Sequence, residues 1–404
     1  MRNLIFSSLV LFVFTLFSCE DNDELTITIN EISSLEIKVV DKDKKPLENA
    51  DVILTDVRTQ TIILNETTDN TGICKLDKIL QGTYKCIVRA KKDGVTYQVS
   101  SVFQTFAKDK KVVEYSPFSN VGNINIIATT EGVPVADFTK YTVAVVSYNY
   151  SIRYVDEIKR YAQFTTNLDK DGKVQISDVP ADNSYKVYIY KGDDIYASSS
   201  YFSMTKKDLD IPLLFNIGTL NITLEGEVAK FSDYDVAIVA HTYSDMSIEY
   251  IKSNTLFSAK LDDNGKATIS EILKEKGYRV FLIKDNNVYD YKNFYISNNT
   301  LDISFITRTL TVNVSGINKN PENFSIALTK NRVSNISSLE SEAILVGKLN
   351  TEAKVIFSEL PLIDDSYYYY AYLYKDNKIY DNSSIYMGSS NNNLSTTIYT
   401  YINE

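Results

Sequence analysis

One histidine, His241, and three cysteines, Cys19, Cys74 and Cys86, are all that this 404-residue chain offers for imidazole or thiol chemistry. A Ser-His-Asp or Cys-His arrangement needs a base beside the nucleophile and a third group to orient it. His241 closes the apolar run Ala237-Ile-Val-Ala-His241 and reads as a structural residue at a strand end. Two neighbouring cysteines without further clustered ligands fall short of the four that structural zinc takes, so no metal or cofactor is expected. Carboxylates are plentiful, 52 in all, but nothing in their spacing makes two converge on one bond as glycoside hydrolysis requires. The chain reads as a binding or structural protein, not an enzyme.

Two carboxylate-rich tetrapeptides, Asp169-Lys-Asp171-Gly172 and Asp262-Asp263-Asn-Gly265, look like the opening of a calcium loop. They lack the ligand-rich continuation and the bidentate Glu at its twelfth position. A hairpin tip, where Asp, Asn and Gly serve the backbone, accounts for them. The strongest candidate for recognition is Tyr367-Tyr-Tyr-Tyr-Ala-Tyr-Leu-Tyr374. Strand alternation places Tyr369, Ala371 and Leu373 on one face and Tyr368, Tyr370, Tyr372 and Tyr374 on the other. A stripe of four outward tyrosines suits sugar rings or a protein partner, unless a neighbouring segment covers it.

The elements that carry these residues recur. Leu261-Asp-Asp-Asn-Gly-Lys-Ala-Thr-Ile269 matches Leu168 to Ile176, and shorter counterparts stand at Asp69-Asn-Thr-Gly72 and Leu349-Asn-Thr-Glu-Ala-Lys354. Each is a polar tip between apolar runs, with Gly supplying a positive φ; Ala353 in the last copy predicts a different turn there. Downstream, alternating strands run from Tyr185 to Lys191, Tyr278 to Lys284 and Tyr369 to Lys375, with a longer Tyr84 to Lys92 in the first copy. In all four a Tyr follows that Lys by five residues: Tyr97, Tyr196, Tyr289 and Tyr380. Units of roughly 90 residues are large enough to hold their own cores, which makes them tandem domains.

The composition agrees. Thirty Tyr and 18 Phe without Trp, among many Ile, Val and Thr, favour strands. A net charge of −10 offers no broad basic surface for a phosphate backbone, so nucleic acid is not an expected partner. After the second strand of the last three units comes a longer segment, Ser147 to Phe164, Thr242 to Phe257 and Asn331 to Leu345. It is rich in Tyr in the second unit (Tyr148, Tyr150, Tyr154, Tyr161) and could be an extra edge strand, a short helix or a recognition loop.

Residues 1–18 carry one cation, Arg2, and an apolar run from Leu4 to Phe17, too short to span a bilayer and typical of a signal peptide. Leu16-Phe-Ser-Cys19 resembles the bacterial lipobox, which implies acylation of Cys19 and a membrane held through that lipid. Glu20-Asp-Asn-Asp-Glu24 is similar to the export signal of Bacteroidota surface lipoproteins, and reads equally as a solvated tether over residues 19–33. In the first unit, Pro46-Leu-Glu-Asn-Ala-Asp-Val-Ile-Leu54, then Thr68-Asp-Asn-Thr-Gly72, Leu76, Leu80, Gly82 and Tyr84, resembles carboxypeptidase regulatory-like domains. That resemblance implies a seven-stranded sandwich of immunoglobulin or transthyretin type and no activity. Cys74 and Cys86 fall at inward positions, either bonded to each other or free.

The expected architecture is all-β: four tandem immunoglobulin-like antiparallel sandwiches over residues 34–117, 122–215, 217–306 and 308–404, joined by short connections into an elongated rod. The expected role is that of a lipid-anchored, noncatalytic protein at the outer membrane and cell surface. It would bind a glycan or protein ligand in adhesion, or act as a periplasm-facing spacer within an envelope complex.

Overall fold

The computed structural model describes residues 32–241, 247–362, 368–386 and 392–402. The signal peptide, Cys19 and the acidic run lie outside the described residues. The first domain has seven strands: β1 (Ile32–Val39), β2 (Asp51–Asp56), β3 (Ile62–Thr67), β4 (Ile73–Leu80), β5 (Gly82–Lys92), β6 (Val95–Thr105) and β7 (Lys110–Tyr115). They form a three-stranded sheet, β4-β1-β7, facing a four-stranded sheet, β3-β2-β5-β6. The β1–β7 pair is parallel and the rest are antiparallel. β1 begins inside the stretch expected to be tether. Alternation builds the core from it: Leu35, Ile37 and Val39 are buried while Glu36 and Lys38 face outward.

The same pair of sheets recurs three times, with an added two-residue strand (Phe202–Ser203) in the second domain, so the chain is a row of four sandwiches, each with a core, the second one's extended by Ile217 and Leu273 of the third. Putting the first, fourth and seventh strands in one sheet differs from the immunoglobulin partition, where the first, second, fourth and fifth share a sheet. Cys74 on β4 and Cys86 on β5 sit in opposite sheets, buried and unbonded. Of the two alternatives the structure holds free thiols, and burial pushes both up to about 11.

All four hairpin tips are one motif. The side-chain oxygen of Asp69, Asp169, Asp262 or Asn350 accepts two backbone N–H groups, at 2.8–3.0 Å, from residues two and four further on. These carboxylates are engaged by their own turn, which is the hairpin reading of the Asp-rich tetrapeptides. The fourth tip corrects an expectation: Ala353 adopts φ 58°, close to the 73–74° of Gly72, Gly172 and Gly265, and the turn is the same. The two Asn350 hydrogen bonds hold Ala353 in a region that disfavours a Cβ by about 1–2 kcal/mol.

The second and third sandwiches, and the third and fourth, are each joined by a carboxylate. Glu271, in the third domain's counterpart of β4 (Lys266–Leu273), stands at φ 63° beside a bulge and reaches back into the second domain. It accepts from the Tyr141 hydroxyl at 2.5 Å, the Ala136 N–H at 2.6 Å and Lys191 Nζ at 3.0 Å. Lys191 also lies 4.9 Å from the centre of the Tyr141 ring. The next junction repeats this: Glu359, φ 58°, accepts from Ala229 N–H and Lys284 Nζ, each at 2.6 Å, and Lys284 lies over the Tyr234 ring. Here the buried Tyr234 hydroxyl makes no hydrogen bond. At the first junction Asp178 occupies the same bulge, φ 56°, and Asn120 bridges Gln98 O and Asp182 Oδ2 at 2.6 and 2.8 Å. Buried, multiply bonded ion pairs are specific in geometry; they fix the third domain on the second and the fourth on the third.

Candidate functional site

The long segment after the second strand of domains two to four is a short helix followed by a strand. The helices are α1 (Val155–Tyr161), α2 (Ile248–Asn254) and α3 (Ile336–Glu342). In α1 the Glu157 carboxylate accepts from the N–H groups of Arg153 and Tyr154 at 2.6 and 3.1 Å, satisfying donors at the helix start. Asp156 and Glu157 in the first turn and Lys159 and Arg160 in the last complement the helix dipole. Each helix drops one or two apolar side chains onto the outward face of the four-stranded sheet: Val155 and Ile158, Ile251, and Leu339.

That placement corrects the reading of the tyrosine stripe. Tyr368, Tyr370, Tyr372 and Tyr374 do share the face turned away from the main core, but α3 lies on it. Tyr372 is 3 % exposed, packed with Ala327 and Leu339, and its hydroxyl accepts the Val333 N–H at 2.8 Å. Tyr370 and Tyr374 border the same cluster and Arg332 covers the Tyr370 ring. Only Tyr368 is exposed; it packs on Tyr386. The stripe is a second, smaller core. Tyr372→Phe is expected to cost about 1 kcal/mol in the fourth domain by orphaning the Val333 N–H, while Tyr368→Ser stays within about 0.5 kcal/mol. Denaturant melts of the two variants read the difference.

Exposed aromatic surface gathers on the second domain instead. Tyr148 and Tyr150 leave the second strand and Tyr154 precedes α1, at 60 %, 40 % and 68 % exposure. Tyr148 packs edge-on against the exposed Tyr201, ring centroids 4.9 Å apart, and Tyr150 stacks on Tyr161 at 4.2 Å with the planes 12° apart. Lys186 lies 5.0 Å from the Tyr188 ring centre and 5.5 Å from that of Tyr201; Arg160 lies against Tyr161. The result is two sets of rings and cations, Tyr148 with Tyr201 and Lys186 and Tyr150 with Tyr161 and Arg160, each pinned within itself, so little side-chain entropy is lost when something docks on either. Sequence reasoning named four of these tyrosines and missed Tyr201, which follows the run Ala197-Ser-Ser-Ser200 and has no counterpart in the other copies.

His241 is exposed in the turn after its strand, its N–H on Gly277 O at 3.0 Å. Among the described residues no group of three His, Cys, Asp or Glu side chains could hold a metal ion, and no helix is long and apolar enough to cross a membrane. The junction acids were also missed, although Ser177-Asp178-Val179, Ser270-Glu271-Ile272 and Ser358-Glu359-Leu360 recur in register.

No family model matches the sequence, and no curated protein does. Among solved structures the chain is similar to the Bacillus anthracis TIE protein, at 12 % identity and a TM-score of 0.21, covering 88 % of this chain and 69 % of that one. It is also similar to GBS52, the minor pilin of Streptococcus agalactiae (12 %, TM-score 0.28, covering 46 % and 94 %), and to BcpA, the major pilin subunit of Bacillus cereus (12 %, TM-score 0.21, covering 68 % and 99 %). At these scores the likeness carries no argument about role, and the tandem-sandwich fold rests on the sheet order described above.

Proposed function

We propose that this chain is a noncatalytic, lipid-anchored protein of the outer membrane and cell surface that binds a glycan or protein ligand in adhesion. The observation that supports this most is the exposed cluster of Tyr148, Tyr150, Tyr154 and Tyr201 beside Lys186 and Arg160. Four exposed tyrosines on one domain are a concentration of apolar surface of the kind that marks interaction sites, and Tyr with Arg dominates interface hot spots. The lipobox-like Cys19 supplies the anchor, and the carboxypeptidase regulatory-like first domain holds the cluster away from the membrane.

The test is adherence of cells to immobilised mucin, with the chain carrying Tyr148→Ser, Tyr154→Ser and Tyr201→Ser together. These exposed positions should leave thermal unfolding nearly unchanged while adherence falls at least about tenfold, equivalent to about 1.4 kcal/mol. Unchanged adherence, with the domain shown by protease shaving to lie outside the cell, would remove the cluster from the reading. The carboxylate junctions favour a second role, a spacer or scaffold in an envelope complex, since a protein that only tethered a ligand site would not need each domain fixed on the next. Protection of the fourth domain from protease in intact cells would select that role.

A further inference from the structure

One end of the first sandwich exposes apolar side chains that none of the other described domains covers. Leu80 at the end of β4 is 55 % exposed and Phe106, just past β6, is 62 % exposed; Val57 in the β2–β3 turn is exposed too. The hydrogen bonds place them together. Ile32 pairs with Leu80, the Ser33 hydroxyl donates to Phe106 O, and the Thr105 hydroxyl donates to Leu80 O at 2.9 Å. The Val57 N–H donates to Thr83 O at 2.9 Å. Exposed Arg58, Lys78, Lys108 and Lys110 ring this end. Of the acids nearby, Asp56 is turned onto the N–H groups of Arg58 and Thr59, which leaves Asp77 and Asp109. The first domain, residues 34–117, holds 14 Lys and Arg against 12 Asp and Glu, a net +2 in a chain of −10.

The other end of this sandwich is occupied by the second domain, through Asn120 and the surroundings of Asp178. The apolar, basic end is the one at which β1 begins, at Ile32. Twelve residues separate Cys19 from Ile32, a reach of at most about 45 Å. We propose that this end rests on an anionic, phosphate-bearing membrane surface, with Leu80 and Phe106 entering the headgroup layer and Arg58, Lys78, Lys108 and Lys110 meeting the phosphates. A small apolar area combined with basic side chains is what interfacial binding uses, and long Lys and Arg stems let charge and apolar surface serve one boundary. The surface would set the angle at which the row of domains stands. The inference rests on the lipid-anchored reading, since a single weak surface needs a tether to hold it at the bilayer.

The test uses residues 20–404 tethered through an N-terminal polyhistidine tag to nickel-chelating lipid, so that it does not depend on native acylation. An environment-sensitive dye is placed by Ala107→Cys, and in a control by Lys170→Cys on a second-domain hairpin tip; the native Cys74 and Cys86 are buried. Vesicles contain spin-labelled lipid in phosphatidylcholine, with or without phosphatidylglycerol. The expected result is quenching severalfold stronger at 107 than at 170 on anionic vesicles. It should weaken in high salt and be lost with Leu80→Ser plus Phe106→Ser or with Lys108→Glu plus Lys110→Glu. Equal quenching at both positions, or quenching at 107 that neither double variant reduces, overturns the proposal. So does a dye at 107 already shielded without vesicles, which would mean the acidic residues 20–24 occupy this end. Acylation of Cys19 is read separately by mass spectrometry of the protein from cells, so its absence would remove the native anchor and leave the vesicle result standing.

Discussion

Replacing Glu271 with Ala should uncouple the second and third domains while leaving both folded. The carboxylate accepts three hydrogen bonds from one neighbour, and its side chain is 11 % exposed against 35 % for Lys191. Removing it orphans the Tyr141 hydroxyl, the Ala136 N–H and the ammonium together. Breaking a buried pair this way costs about 3–5 kcal/mol, and Lys191's access to water sets the lower end. Scanning calorimetry should show the second and third domains separating into distinct transitions, and small-angle scattering a broader range of interdomain angles. A single unchanged transition would mean that the other contacts across this junction, Lys276 with Asp194 at 2.7 Å, Lys274 with Glu131 at 3.7 Å and Ile217 and Leu273 packed into the second domain's core, hold the domains without the carboxylate. Burial raises the Glu271 carboxyl, but the bonds from Tyr141, Ala136 and Lys191 lower it more, and the balance lies below the ordinary carboxylate range. The unfolded form is therefore the one that binds the proton more readily. The junction's contribution is full above the ordinary carboxylate range, from about pH 5 to 8, and is lost as pH falls through the depressed native value. In the Ala variant that acid-dependent part should disappear.

How far such features can be read from sequence depends on whether their cause is local. The hairpin tips were legible because Asp or Asn at the first position and Gly at the fourth serve the turn itself. Ala353 misled for the same reason: the local rule asks for Gly, while the Asn350 side chain supplies the compensation. The tyrosine stripe was placed on the correct face by strand alternation, yet what covers that face comes from α3, about thirty residues earlier, and alternation carries no information about a neighbour in another layer. The junction acids lie between. Their Ser-Asp/Glu-aliphatic pattern is visible in three copies, and the first copy has Lys78 at that register. What the acid meets belongs to the preceding domain. Phe324 holds the place of Tyr141 and Tyr234 in the fourth domain, each of whose carbonyls accepts the matching Leu N–H, but has no hydroxyl to offer a carboxylate.

Gly316→Ala is expected to be the most damaging single-methyl change in the fourth domain, because the last strand crosses where the methyl would sit. Gly316 holds φ +99° at a register shift in the parallel pairing of strand Thr309–Ile317 with strand Asn393–Ile402. A Cβ there would stand 1.6 Å from Thr400 O and 2.7 Å from its carbonyl carbon. Both are backbone atoms of a strand hydrogen-bonded along its length, so no rotamer can relieve the contact. Displacing the strand would strip Ile398 and Ile402 from the core they help close. Conformational strain of about 1–2 kcal/mol and overpacking of about 1–3 kcal/mol add to roughly 2–5 kcal/mol. For a domain of this size that lowers melting on the order of 15 °C. The loss should be confined to the fourth domain, since each sandwich encloses its own core. Gly94→Ala separates the two contributions: φ is +79° but nothing lies within 4 Å of the added methyl, so only the conformational part, about 1 kcal/mol, should appear. If calorimetry shows Gly316→Ala melting like Gly94→Ala, the last strand yields without cost, and close backbone approach is not what requires glycine at this bulge.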